Sequence, residues 1–94
     1  MAAEIRSSGS IAVGTATVTP GRATLYGVEL NGGSAASSVI VQDGGAGGAV
    51  IITVLCVATD SKFVYFPTGI RHKTDLFVTV AGTAATANIF FTPE

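Results

Sequence analysis

Short runs of Val, Ile, Thr, Phe and Tyr recur along this chain, and Gly, Ser, Asn, Asp or Pro fills the gaps between them. Apolar residues at alternate positions within such runs suit strands with one buried face. No window carries the recurrent apolar stripe that makes a helix amphipathic. β-Branched and aromatic residues fit a pleated surface, and the gap residues favour turns. The expected fold class is therefore all-β. It is an antiparallel β-sandwich, jelly-roll-like, with about seven to eight short strands.

The runs place strands at Ile11–Val18, Arg22–Leu30, Ser37–Gln42, Ala49–Ala58, Lys62–Phe66, Asp75–Val80 and Thr86–Thr92. Pro20-Gly21 ends the first, and Asn31-Gly32-Gly33 ends the second. In the second, Ala23 and Leu25 share one parity while Val28 and Leu30 share the other. Gly27 sits at the slip, which predicts a β-bulge there. Ala49–Ala58 is apolar on both parities, the pattern of a strand covered on both faces. A buried helix would compete, but β-branched residues and the glycines before it favour the strand. Pro67-Thr68-Gly69 stops the aromatic run, and Arg71-His72-Lys73-Thr74 reads as a polar loop. Residues 1–10 read as a flexible N-terminal arm with Ser7-Ser8-Gly9-Ser10 as its linker, and residues 11–94 as one β-sandwich domain.

Composition narrows the function. Of 94 residues, 48% are hydrophobic and only 12% charged, with mean hydropathy +0.58. Five basic against six acidic residues leave no surplus for counterion release on nucleic acid or for an anionic membrane surface. The run Ala49–Ala58 is about half the length of a membrane helix. No apolar core of a secretory signal follows Met1-Ala2-Ala3-Glu4-Ile5-Arg6. The apolar excess therefore needs another sink, and a protein interface is the expected one.

Candidate chemistry is sparse. Gly44-Gly45-Ala46-Gly47-Gly48 lacks the Lys, the hydroxyl residue and the helix of a phosphate loop, so a flexible hairpin loop is expected. His72 is the only histidine and Cys56 the only cysteine, with Cys56 inside the most apolar run. Metal sites and nucleophilic triads need several converging groups. Glu4, Glu29, Asp43, Asp60, Asp75 and Glu94 stand apart from one another. No catalytic residue, metal or cofactor is expected, and the chain is not expected to be an enzyme.

Partner contacts are the remaining role. Arg71-His72-Lys73 is the only basic cluster; a solvated loop is the first expectation for it, and a grip on a partner's acidic patch or on a phosphate the second. Strand alternation sets Phe63 and Tyr65 against Val64 and Phe66, Phe77 against Leu76, Val78 and Val80, and Phe90 against Ile89 and Phe91. Both faces of the last strands thus carry bulky apolar groups, and a sandwich has one inner face. Ile5 and Arg6 in the arm, Arg71 and Lys73 in the basic cluster, and Phe90 on the outer face are the expected partner-binding residues.

Five segments carry a resemblance: Leu25-Tyr26-Gly27-Val28-Glu29-Leu30-Asn31, Val39-Ile40-Val41-Gln42-Asp43-Gly44, Phe66-Pro67-Thr68-Gly69-Ile70, Leu76-Phe77-Val78-Thr79-Val80 and Asn88-Ile89-Phe90-Phe91. In order and spacing the chain resembles, over residues 25–92, the small β-sandwich virion proteins of tailed bacteriophages, of the capsid-decoration, cement and head-completion kind. The resemblance is one of strands and turns and transfers no site residue. It implies a jelly-roll-like homo-oligomer, often a trimer, docked on a major capsid or neck protein. The implied location is the virion, assembled in the host cytoplasm. The glycine loop at 44–48 departs from that pattern. The competing expectation is a small ligand- or glycan-binding β-sandwich module, which needs exposed rings with polar groups beside them.

Overall fold

The computed structural model describes residues 5–45 and 47–93. Among them are nine strands and no helix: β1 (Arg6–Ser7), β2 (Ile11–Ala12), β3 (Gly14–Pro20), β4 (Ala23–Asn31), β5 (Ser37–Asp43), β6 (Ala49–Cys56), β7 (Ser61–His72), β8 (Asp75–Ala81) and β9 (Thr86–Pro93). One sheet runs β1-β9-β4-β7, with β2 also on β9, and the other runs β3-β8-β5-β6. All pairings are antiparallel.

The pairing is nested. β5 pairs with β6, β4 with β7, β3 with β8, and β1 and β2 with β9. Alternate members of this long hairpin fall in opposite sheets, which is the jelly-roll arrangement. The expected antiparallel β-sandwich is the observed one. Its core comes from inward parities: Leu25, Val28, Leu30 and Ile89 from one sheet, Val39, Val41, Leu76, Val78 and Val80 from the other.

Gly27 marks the bulge expected there. The register of β4 shifts between Leu25 and Gly27 against both β7 and β9, and Gly27 and Val28 are both buried. The extra residue moves Val28 and Leu30 onto the inner face that Ala23 and Leu25 already occupy.

Four expectations need correction. The run Ile11–Val18 is two strands, because β2 pairs in one sheet and β3 in the other. The chain changes sheet at Gly14, whose φ of +133° lies where side chains are strained. The arm is not free of the domain: Arg6 and Ser7 pair with Phe91 and Phe90, and the Ser8 amide donates to the Ile89 carbonyl at 2.8 Å. Residues 1–4 of that arm lie outside the described residues. β6 is covered on one face only: Val54 and Cys56 are buried while Thr53 and Leu55 are exposed, since its sheet packs against a single other sheet. Lastly, Pro67-Thr68-Gly69 interrupts β7 without ending it. Its register passes from Gly27 opposite Tyr65 to Leu25 opposite Ile70, so residues 66–69 bulge out beside β4.

Arg71 and His72 accordingly belong to a strand and not to a loop, opposite Thr24 and Ala23. His72 is wholly buried. Its Nδ1 lies 3.3 Å from the Ile70 carbonyl, and its Nε2 has no partner among the described residues. A buried polar atom without a partner costs free energy that an apolar side chain avoids. His72→Leu is therefore expected to raise stability by about 1 kcal/mol, read as a higher urea midpoint at unchanged slope. A lower midpoint would show that the ring's packing outweighs its unpaired nitrogen.

The glycine loop has a defined role at one end of the sandwich. Asp43 Oδ2 accepts the Lys73 amide at 2.9 Å, and its Oδ1 accepts those of Thr74 at 2.9 Å and Asp75 at 3.3 Å. In return Asp75 Oδ1 accepts the amides of Gly44 at 2.9 Å and Gly45 at 3.0 Å. Two carboxylates thus latch the β5–β6 loop to the β7–β8 turn.

Candidate functional site

Most of the exposed large apolar side chains lie on or beside β6 and β7, which are edge strands of opposite sheets, so the two groups face away from each other; Ile5 and Val13 are exposed as well. Val50 is 59% exposed and Leu55 63%, with Val57 just beyond β6 at 66%. Phe63 and Tyr65 on β7 are each 56% exposed. Alternation explains both sets except Val50, which shares the parity of Val54 and Cys56 and is turned outward by the bulge at Ile51. On β6 the inward positions Val54 and Cys56 fill the core, so Leu55 points out. On β7 Val64 and Phe66 pack toward the core, so Phe63 and Tyr65 point out.

The aromatic part is a built cluster. Gly27 lies opposite both Tyr65 and Phe90 across the bulged centre of the sheet. A Cβ at Gly27 would stand 3.2 Å from the Phe63 ring, so the missing side chain is the floor on which that ring rests. Phe63 stacks on Tyr65 with centroids 6.4 Å apart and meets Phe90 edge-on at 5.8 Å. Such pairs favour a fixed geometry. One rung away, Glu29 lies opposite Phe63 on one side and Asn88 on the other.

The five expected partner residues do not form one site. Phe90 joins the aromatic cluster, half-buried under Phe63. Arg71 and Lys73 join Arg22 around a depression of about 220 Å³ at one end of β7. Arg6 is exposed on β1, at the far side of the sheet from β7, and Ile5 beside it is 49% exposed. Arg22, Leu55 and Val57 were not anticipated. The signal for the last two is the stretch between Asp43 and Asp60, which carries no charge and no proline.

Among the described residues no three His, Cys, Asp or Glu side chains group to hold a metal ion. Cys56 is a buried free thiol.

No family model matches the chain, and no curated protein matches it in sequence. Solved structures match it in shape. A subunit of Bacillus endospore appendages, described as a novel family of disulfide-linked pili, superposes with a TM-score of 0.55 at 12% identity, covering 99% of this chain and 88% of the other. The crystal structure of PirA gives 0.50 at 15% identity, over 96% of this chain and 92% of that one. A chain of the virus-like particle of the extra small virus of the giant freshwater prawn Macrobrachium rosenbergii gives 0.45 at 10% identity, over 98% and 79%. At such identities the first two likenesses establish a shared fold.

Proposed function

We propose that this chain is a non-enzymatic structural subunit that assembles with copies of itself. The observation that carries this reading is the apolar exposure of Val50, Leu55, Val57, Phe63 and Tyr65 on a chain that is only 12% charged. A small monomer gains nothing from large exposed apolar groups on the outer faces of its sheets, whereas an assembly buries them. The fold is compatible with that role, since it is shared with a subunit of appendages described as pili. Cys56 is buried, so the proposed contacts between copies are non-covalent. The narrower form of the proposal follows the phage resemblance: a capsid-decoration or cement protein docked on a major capsid or neck protein in the virion. Its trimer is the count the resemblance implies, and no symmetry element in the geometry selects three.

Light scattering on a sizing column across a wide concentration range tests the reading. The expected mass is a stable multiple of 9.4 kDa. Leu55→Asp should lower it without loss of strand signal in circular dichroism, because Leu55 contributes to the surface and not to the core. A monomer at every concentration would end the assembly reading.

One observation favours a second reading. The rung Asn88–Glu29–Phe63 sets polar groups beside exposed rings, as a glycan-binding module requires. A ligand-induced rise in melting temperature in a glycan screen, from a protein that stays monomeric, would put that reading first.

A further inference from the structure

We infer that the contact between copies is made edge to edge: β6 of one copy pairs antiparallel with β6 of a second about a two-fold axis, fusing two four-stranded sheets into one. This rests on the self-assembly proposed above and names its surface and partner. It departs from the trimer, because a two-fold contact builds pairs.

An open sheet edge presents unpaired backbone donors and acceptors, so the partner it fits is another strand. Four edges exist among the described residues, and three are obstructed. β3 bulges between Thr17 and Thr19 and ends in Pro20. The edge formed by β1 and β2 is broken between Ser7 and Ile11 and carries Arg6. β7 carries Lys62, Pro67 and Arg71, and residues 66–69 swell out of register. Lysine, proline and bulges are the devices that keep edges from pairing. β6 has one bulge, at Ile51 near its start, and an uninterrupted ladder with β5 from Ile52 to Cys56.

Self-pairing also constrains charge. A two-fold axis brings a strand against its own sequence, so like charges near the axis would repel. β6 and its flanks between Asp43 and Asp60 contain none. The side chains flanking the edge are apolar and exposed, Leu55 and Val57 above all. They supply part of the area that a strand ladder alone lacks, since a stable dimer needs about 800 Å² from each partner. Residues directly opposite share a face, so an axis at Val54 sets Thr53 against the partner's Leu55, and an axis at Thr53 sets Thr53 against itself.

Cysteine cross-linking tests this on a Cys56→Ala background. Thr53→Cys is oxidised alone and as an equimolar mixture with Leu55→Cys; Thr17→Cys on β3 and Phe63→Cys on β7 are the controls. Opposed strand residues fall within disulfide reach, so covalent dimer is expected as the main species from one of the β6 samples and as a trace from the controls. Thr53→Lys, at an exposed position, should return the parent protein to the mass of a monomer with its melting transition retained. An oligomer by light scattering whose cross-links form at β3 or β7 and not at β6 overturns the edge contact and leaves self-assembly standing. An odd-numbered closed oligomer does the same. A parent protein that is monomeric at every concentration removes both.

Discussion

Replacing Gly33 with alanine is expected to cost about 3 kcal/mol of stability and to lower the melting temperature by roughly 15 °C, among the larger effects a single substitution has. A Cβ at Gly33 would fall 1.8 Å from the Thr83 carbonyl oxygen and 2.7 Å from the Ala84 carbonyl carbon. That oxygen has little freedom to retreat, because it accepts the Ser34 amide at 3.0 Å. The Gly33 carbonyl in turn accepts the Thr59 amide at 2.9 Å, and the Gly32 amide donates to the Asp60 carbonyl at 2.7 Å. Three connections therefore meet at Gly32-Gly33: β4–β5, β6–β7 and β8–β9. Thr59 and Ala84, in the other two, both hold φ at 59°, a strained value for residues with side chains. The site is already tight, and one methyl group has nowhere to go. Gly47→Ala is the matched control, since nothing lies within 4 Å of its Cβ position. Urea unfolding of the two variants checks the argument. A Gly33→Ala protein within about 1 kcal/mol of the parent would mean that the loops shift apart at little cost.

The strands were legible because alternation is a local property. Val64 against Phe63, Leu76 against Phe77 and Ile89 against Phe90 all separate into core and surface as their parity requires. The bulge at Gly27 was legible for the same reason, since a parity slip at a glycine is visible in one strand alone. What escaped was whatever depends on the partner strand. Ile11–Val18 has one continuous pattern, yet its two halves pair with strands of different sheets. Pro67 and Gly69 look like a stop, but β4 continues beneath them and picks up Ile70, Arg71 and His72. The pattern of β6 is ambiguous in principle: apolar residues on both parities suit a strand covered on both faces and equally one whose outer face awaits a partner. The surface was therefore half legible. Phe90 could be named from its parity, whereas Leu55 and Val57 could not be placed until the outer face of β6 was seen to lie uncovered. Gly44 and Gly45 had no local explanation, because the carboxylate that holds their amides belongs to Asp75, 30 residues and more along the chain.

That latch makes acid the condition under which the fold should weaken first, and Asp43 the residue responsible. Its carboxyl is held below its ordinary pKa of 3.8, chiefly by the hydrogen bond from the Lys73 amide, with the Thr74 and Asp75 amides and His72 acting in the same direction and desolvation opposing them. A carboxylate that accepts backbone N–H groups is favoured in its charged form. At pH well above 3.8 the carboxyl is ionised in both folded and unfolded chains, and the stabilisation is fully present. As the pH falls through that value the unfolded chain takes up the proton first, so stability declines. It stops declining on this account once the folded-state carboxyl is protonated too. Asp43→Asn keeps the shape and one acceptor oxygen but removes the charge. Near neutral pH it should cost about 1 kcal/mol, toward the lower end for hydrogen bonds to a charged group because the site is partly open to solvent. The variant and the parent should then converge as the pH is lowered below 3.8, since protonation removes from the parent what the substitution has already removed. Asp43→Ala leaves three amides without their acceptor and should cost about 2 kcal/mol at neutral pH. Urea midpoints of the three proteins between neutral and acid pH separate the cases. Parallel pH profiles for parent and Asp43→Asn would show that the latch holds through geometry alone, and that another carboxylate sets the acid limit. Convergent profiles would tie the acid limit to the carboxylate that joins the glycine loop to the turn after β7.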